Sequence, residues 1–248
     1  MLAHSFPKMA NAGNVQLVLV DFDDTLVDTA PRFQKARRAL FGLLEDLGFD
    51  PEHARRLHHD VIDPVMLDRH GLGPQRLQHS FRATYEELCT AAGLQVVPDL
   101  LQQCEALGLN VAGPPPAIDG ALDALRRLAA RHHTAVYTQA GNIDYQLECV
   151  RACGILDIVP VDRVHITARK TVAAFHATMA TFGASDPASV WMIGNSMRAD
   201  INPALEAGAN AILVDVQDPW EFDLVDPISP DFLRAPSFAA AANYLLAE

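Results

Sequence analysis

Near its start the chain carries a short, almost wholly apolar run rich in β-branched residues, Val15 to Val20, that stops abruptly at Asp21, Asp23, Asp24 and Thr25. Such a run predicts a buried parallel strand that delivers polar groups at its carboxyl end. Beyond Val27 the period changes. Ala36, Ala39, Leu40, Leu43, Leu44 and Leu47 recur at steps of three and four, the stripe of an amphipathic helix ending near Gly48. Further helices are predicted from Pro51 to Arg69, from Pro74 through Leu88 to Gly93, and from Pro98 to Leu107. No strand-like alternation interrupts them, so the block is read as all-helical, and Gly113-Pro114-Pro115-Pro116 closes it as a stiff linker.

From there helix and strand alternate. A helix over 119–131 leads to the strand His133 to Tyr137, ending at Thr138. A helix over 143–153, an extended segment over 158–166 and a helix over 169–182 follow. The strand Val190 to Ile193 ends at Gly194, a helix covers 201–207, and Ala211 to Val214 is read as the last strand, with a loop and one closing helix from Ser229 to Glu248. Repeated units of this length predict an α/β fold with a doubly wound parallel sheet, interrupted after its first strand by the helical block. The expected boundaries are 15–28 with 115–248 for the α/β core and 29–114 for the insertion.

Candidate chemistry gathers at the strand ends, where open α/β sheets bind ligands. Asp21 and Asp23 lie two apart, so an extended backbone turns both side chains to one side. Converging carboxylates repel unless a cation lies between them or one is protonated. Mg²⁺ suits the first case, since it takes one or two carboxylates together with water and substrate phosphate. Asp24 and Asp28 are read as solvated. Thr138 ends a later strand, Lys170 precedes a helix and is one of only three lysines, with Lys8 and Lys35, and Gly194-Asn195-Ser196-Met197-Arg198-Ala199-Asp200 follows another strand.

Asp21-Phe22-Asp23-Asp24-Thr25-Leu26-Val27 resembles the first motif of the haloacid dehalogenase superfamily, and Thr138, Lys170 and the 194–200 segment resemble its second, third and fourth motifs in order. The resemblance implies a Rossmann-like core with a helical cap inserted after the first motif, which would close over the substrate. It implies a Mg²⁺-dependent phosphomonoester hydrolase acting on a small phosphorylated metabolite. Asp21 would be the nucleophile that forms an aspartyl phosphate, and Asp23 the general acid and base. Phe22 and Asp23 through their amides, with Thr25, Thr138, Gln139 and Lys170, would hold the phosphoryl group. Asp21, the carbonyl of Asp23, Asp200 and Asn195 would hold the metal. Asn195 stands where the pattern usually has Asp, which keeps an oxygen and loses a charge. Other expectations open to the same pattern are a phosphotransferase or mutase, a dehalogenase, a phosphonate hydrolase, and a binding module with little catalysis. His59-Asp60 offers a separate metal reading with His53, His58, His70 and His79, against which stands a solvated helix face. Arg32, Arg37, Arg38, Arg55, Arg56, Arg69 and Arg82 are candidates for a second anionic group of the substrate.

Composition narrows the partners. The 248 residues are 50% hydrophobic with a formal charge of -12, so no basic stripe is present to neutralise nucleic-acid phosphates. Four cysteines, Cys89, Cys104, Cys149 and Cys153, lack the density of a disulfide framework or zinc site and are read as small buried apolar residues. No apolar run is long enough to span a bilayer. The segment through Asn14 lacks the pattern of a signal peptide. The expectation is a cytoplasmic protein with a short loose N-terminal tail, no membrane partner and an oligomeric state that the sequence leaves open.

Overall fold

The computed structural model describes residues 15–73, 75–217 and 219–247. The expected N-terminal tail, Lys8 and Pro74 lie outside them. The chain forms two compact units, one of residues 15–30, 114–139 and 143–247, the other of Pro31–Gly113 and Ala140–Asn142.

The first unit is a six-stranded sheet in the order β3-β2-β1-β4-β5-β6, parallel throughout. Its strands are β1 (Leu17–Val20), β2 (Thr134–Gln139), β3 (Val164–Thr167), β4 (Val190–Gly194), β5 (Asn210–Val214) and β6 (Leu233–Ala235). β2 and β3 build outward on one side of β1, and the chain then crosses to its other side for β4 to β6. The carboxyl end of β1 is therefore the topological switch point, where sheets of this winding bind ligands.

Both faces of β1 are covered. Val18 and Val20 pack with Leu125, Leu128, Val150 and Phe238, whereas Leu17 and Leu19 pack with Phe175, Met179, Ile201 and Ala204. All four β1 residues are fully buried, at roughly 1.5–3 kcal/mol for each large aliphatic side chain. Coverage on both sides explains why β1 reads as a continuous apolar run.

Two readings are corrected here. Ala211 to Val214 is not the last strand: Leu233–Ala235 adds β6 beside β5, three residues being too few to show a period. The extended segment over 158–166 contains a 3₁₀ turn at Val161–Arg163, and only Val164–Thr167 pairs with β2. Pro160, without an amide hydrogen and with fixed φ, starts that turn.

The long segment of the second unit is helical, with α1 beginning at Ala30 (Ala30–Asp46), then α2 (Pro51–Arg56), a π-helical turn (Leu57–Ile62), α3 (Asp63–His70), α4 (Arg76–Ala92) and α5 (Pro98–Leu109). Asp50 caps α2 by accepting from the His53 amide at 2.6 Å. α4 ends on Gly93 in the left-handed region, with the Leu94 amide donating back to Cys89 O at 2.8 Å. α4 and α5 approach closely: a Cβ on Gly108 would lie 2.5 Å from the Gln78 backbone. The predicted single helix over 51–69 is continuous but widens into the π turn, which carries His58 into the interior.

His58 is fully buried, not part of a solvated face. Thr84 Oγ1 donates to Ser80 O at 2.8 Å and so accepts from His58 Nδ1 at 3.0 Å, which leaves Nε2 without a partner. Beside it the buried Asp63 accepts from Arg76 and Ser80 and pairs with Arg37 at 3.6 Å. Burial opposes that carboxylate, yet the Arg76 guanidinium and its neighbours hold it down to about 2. Burial likewise pushes the His58 imidazole from 6.5 to about 3. The unfolded chain therefore takes up a proton that the fold refuses, so this contribution is full above about pH 6.5 and is lost as pH falls toward 3. His58→Phe is expected to match the parent within about 1 kcal/mol at neutral pH and to exceed it by about 2 to 3 kcal/mol near pH 4.5. Urea titrations at the two pH values check this, and equal acid sensitivity in both proteins would refute it.

Cys89, Cys104 and Cys149 are buried and Cys153 is half-buried. No described helix is long and apolar enough to cross a membrane.

Candidate active site

Every residue singled out for chemistry, apart from those of the helical block, stands in the first unit. β1 stops because its next residues are acidic. Asp21 still joins the ladder by donating its amide to Ile193 O at 2.9 Å, and the chain then turns sharply, with Phe22 O accepting from the Leu26 amide at 2.9 Å. Phe22 puts its side chain in the core, fully buried, so only its backbone belongs to the site.

Asp24 is corrected from a solvated residue to a structural one. Its φ of 56° is the only left-handed one among described non-glycine residues, a region that Asp tolerates better than most. Its Oδ1 accepts from the amides of Thr29 at 2.9 Å and Ala30 at 2.6 Å. Burial raises its pKa from 3.8 to about 7. Asp28 is exposed, as read.

Around Asp21 the charges are tightly matched. Lys170 Nζ donates to Asp21 Oδ1 at 2.5 Å and to Asp200 Oδ1 at 2.6 Å, and the three groups are almost entirely buried. Burial works against the ammonium, but Asp200 and Asp21 outweigh it and hold its pKa above the ordinary lysine range. Burial raises Asp200, against the pull of Lys170. Asp200 Oδ2 accepts from the Ser196 amide at 2.9 Å, in the loop after β4. Gly194 makes room for it, since a Cβ there would fall 2.3 Å from Asp200 Oδ2. Gln139, at the end of β2, accepts from the Lys170 amide at 3.1 Å through Oε1, so its carbonyl holds the lysine loop.

Asp23 is half-buried, with Oδ1 accepting from Thr29 Oγ1 at 2.6 Å and Oδ2 from Gln146 Nε2 at 2.7 Å. Gln146, on the helix Ile143–Ala152, also donates to Thr138 Oγ1 at 3.0 Å. Sequence reasoning missed Thr29, Gln146 and Asp223, which accepts from Ser196 Oγ at 2.7 Å. Gln146 did leave a signal: with Cys149 and Val150 it forms the buried stripe of its helix, a polar residue in an apolar row.

Sequence comparison decides the family. The haloacid dehalogenase-like hydrolase family matches residues 15–208. The chain belongs to that family. Among solved structures this hydrolase is similar to a haloacid dehalogenase-like family hydrolase from Xanthomonas campestris, with 22% identity, 97% of this chain and 96% of that one covered, and a TM-score of 0.75. It is also similar to the HAD-hydrolase YfnB from Bacillus subtilis bound to magnesium, with 18% identity, coverage of 94% and 99%, and a TM-score of 0.58. A 2-haloacid dehalogenase from Pseudomonas syringae shares 21% identity, coverage of 94% and 98%, and a TM-score of 0.53. At these identities the likeness is one of fold. No curated protein matches by sequence.

Whether the hydrolase suits a magnesium ion is testable on its own oxygens. Among the described residues no group of three or more His, Cys, Asp or Glu side chains gathers as a metal site, which weighs against the histidine reading around His59-Asp60. Magnesium asks for less, namely one or two carboxylates with neutral oxygens and water. The inward-facing atom of the Asn195 amide lies 3.2 Å from Asp21 Oδ2 and 3.1 Å from Asp23 O. Neighbouring ligands of an octahedral ion with bonds of about 2.0–2.1 Å are separated by about 3 Å, so these oxygens fit when Oδ1 faces inward. Thr25 has one hydrogen and spends it on Asp21 Oδ2 at 3.1 Å. Without the ion the amide is therefore better satisfied turned round, with Thr25 Oγ1, Asp21 Oδ2 and Asp23 O all within reach as acceptors for the two hydrogens of Nδ2.

That double use sets a prediction for Asn195→Asp. A carboxylate there cannot donate and stands against Asp21, so in EDTA at pH 8 the variant is expected to lose about 1–3 kcal/mol of stability. Its added charge is expected to tighten Mg²⁺ binding about tenfold. Melting in EDTA and calorimetric Mg²⁺ titration read the two effects, and weaker binding by the variant would show that Asn195 does not face the ion.

Proposed function

We propose that the protein is a Mg²⁺-dependent phosphomonoester hydrolase that acts on a small phosphorylated metabolite through an aspartyl phosphate on Asp21. The observation that carries this reading is Asp23: a second carboxylate two residues from the nucleophile, fixed by two donors, is what an alkoxide leaving group needs and a halide does not. Asp21 attacks phosphorus as the ester P–O bond breaks, and Asp23 gives its proton to the departing oxygen. A water molecule then attacks phosphorus, returning a proton to Asp23 and releasing the Asp21 carboxylate. Lys170 and the hydroxyl of Thr138 stabilise negative charge on the phosphoryl oxygens, while Thr25 orients Asp21. Asp21, Asp23 O and Asn195, with Asp200 behind Lys170, would hold the ion, which supplies charge neutralisation for the phosphate. The choice among phosphate esters is assigned to the helical unit, as a cap.

Phosphate release from para-nitrophenyl phosphate and a panel of metabolite phosphates, with Mg²⁺ or EDTA, tests the activity. A single turnover in ¹⁸O-water tests the route. Attack on phosphorus puts the label in phosphate and leaves Asp21 unlabelled. Dehalogenation through an ester of Asp21, with water attacking the carboxyl carbon, would label Asp21 and refute the phosphatase reading.

A further inference from the structure

We propose that Gln146 is a positioning residue that aligns Asp23 and sets the polarity of the Thr138 hydroxyl, a role that rests on the phosphatase reading above. One nitrogen makes both contacts, to Asp23 Oδ2 at 2.7 Å and to Thr138 Oγ1 at 3.0 Å, and an amide nitrogen has two hydrogens to give. The side chain is 7% exposed on a helix whose Cys149 and Val150 are packed in the core, so it has little freedom to swing away. With Thr29 on Oδ1, both oxygens of Asp23 are pinned and the plane of the carboxyl group is fixed. Thr138 meanwhile accepts from Gln146, so its single hydroxyl hydrogen is left to donate to a phosphoryl oxygen. Gln146 spends both amide hydrogens on protein groups and moves no proton. It orients the group that protonates the leaving oxygen and the group that binds the phosphoryl oxygen.

A buried glutamine with its donors satisfied could also be purely structural, and the two roles separate on the leaving group. Gln146→Met keeps the length of the side chain and removes both donors. In kcat/KM, which reports P–O cleavage, the variant is expected to lose about 3-fold with para-nitrophenyl phosphate, rising to about 100-fold with para-methoxyphenyl phosphate, because only the poorer leaving group depends on a well-aligned acid. Thr29→Val, which removes the other donor to Asp23, is expected to steepen the same dependence and serves if Gln146→Met does not fold. In a variant that melts like the parent, an equal loss along the series overturns the alignment of Asp23 and the absence of any loss overturns both roles, each leaving the phosphatase reading standing. A parent protein that hydrolyses no phosphate ester overturns that reading and the role of Gln146 together.

Discussion

Asp21→Asn is expected to abolish multiple turnover, by about 10⁴-fold or more in kcat, while the protein remains folded. The loss is chemical. An amide is no nucleophile toward phosphorus, and no other described carboxylate shares the position of Asp21, since Asp200 is turned onto Lys170 and Ser196, and Asp23 onto Thr29 and Gln146. The fold survives because the substitution keeps the shape and leaves Lys170 its bond to Asp200 at 2.6 Å. The new carbonyl can still accept from Lys170, and Asn195 can turn Oδ1 inward to accept from the new amide. Removing one charge from a cluster of Asp21, Asp23, Asp24 and Asp200 also relieves repulsion, so stability is expected within about 1 kcal/mol of the parent. Phosphate release and thermal melting of a mass-verified preparation check both halves. Sustained turnover by the folded variant would remove Asp21 from the role of nucleophile.

What was legible in the sequence follows from where burial is uniform. β1, β2 and β4 are covered on both faces, so they appear as apolar runs, and the polar residue that ends each stands out. Asp21, Thr138 and the Gly194-Asn195 pair were therefore readable as strand-end groups that the fold brings to one end of the sheet. β6 was not, because its pattern of buried, exposed, buried over Leu233, Arg234 and Ala235 carries no period. Asp24 looked like a solvated neighbour because its left-handed backbone and its two amide donors arise only once the chain has turned back at Thr29. Gln146, His58, Asp63 and Arg76 share one cause. Each is polar, buried and bonded to a partner distant in sequence, from 13 residues for Asp63 and Arg76 to 123 for Gln146 and Asp23, and local spacing does not encode such pairs. The arginine list shows the same limit: Arg37 is engaged by Asp63, and Arg76, which is buried there with it, escaped the list.

Lys170→Met carries the largest expected cost in stability. The side chain keeps its volume but leaves Asp21 and Asp200, 9% and 1% exposed at their side chains, without the ammonium that bridges them. Removing one partner of a buried ion pair typically costs about 3–5 kcal/mol, and that loss is expected at pH 8 in EDTA. The sign with pH follows from the carboxylates. With Lys170 gone, Asp200, already raised by burial, loses the ammonium that pulls it down, so the fold binds more protons than the unfolded chain, and the deficit shrinks as pH is lowered toward 4. Mg²⁺ is expected to recover part of the loss at pH 8, since it supplies positive charge to Asp21 from the Asn195 side. Activity falls with stability for the same reason, by about 10³-fold, because the charge that balances the two acids also meets the phosphoryl group. Lys170→Arg is expected to rescue neither, the planar guanidinium being too large for the buried place that Nζ takes between Asp21, Asp200 and the Tyr137 ring 5.1 Å away. Urea denaturation at pH 8 and pH 5, with and without Mg²⁺, measures each term. A Lys170→Met protein as stable as its parent at pH 8 in EDTA would mean that the carboxylates are held neutral and that the ion-pair account of the site is wrong.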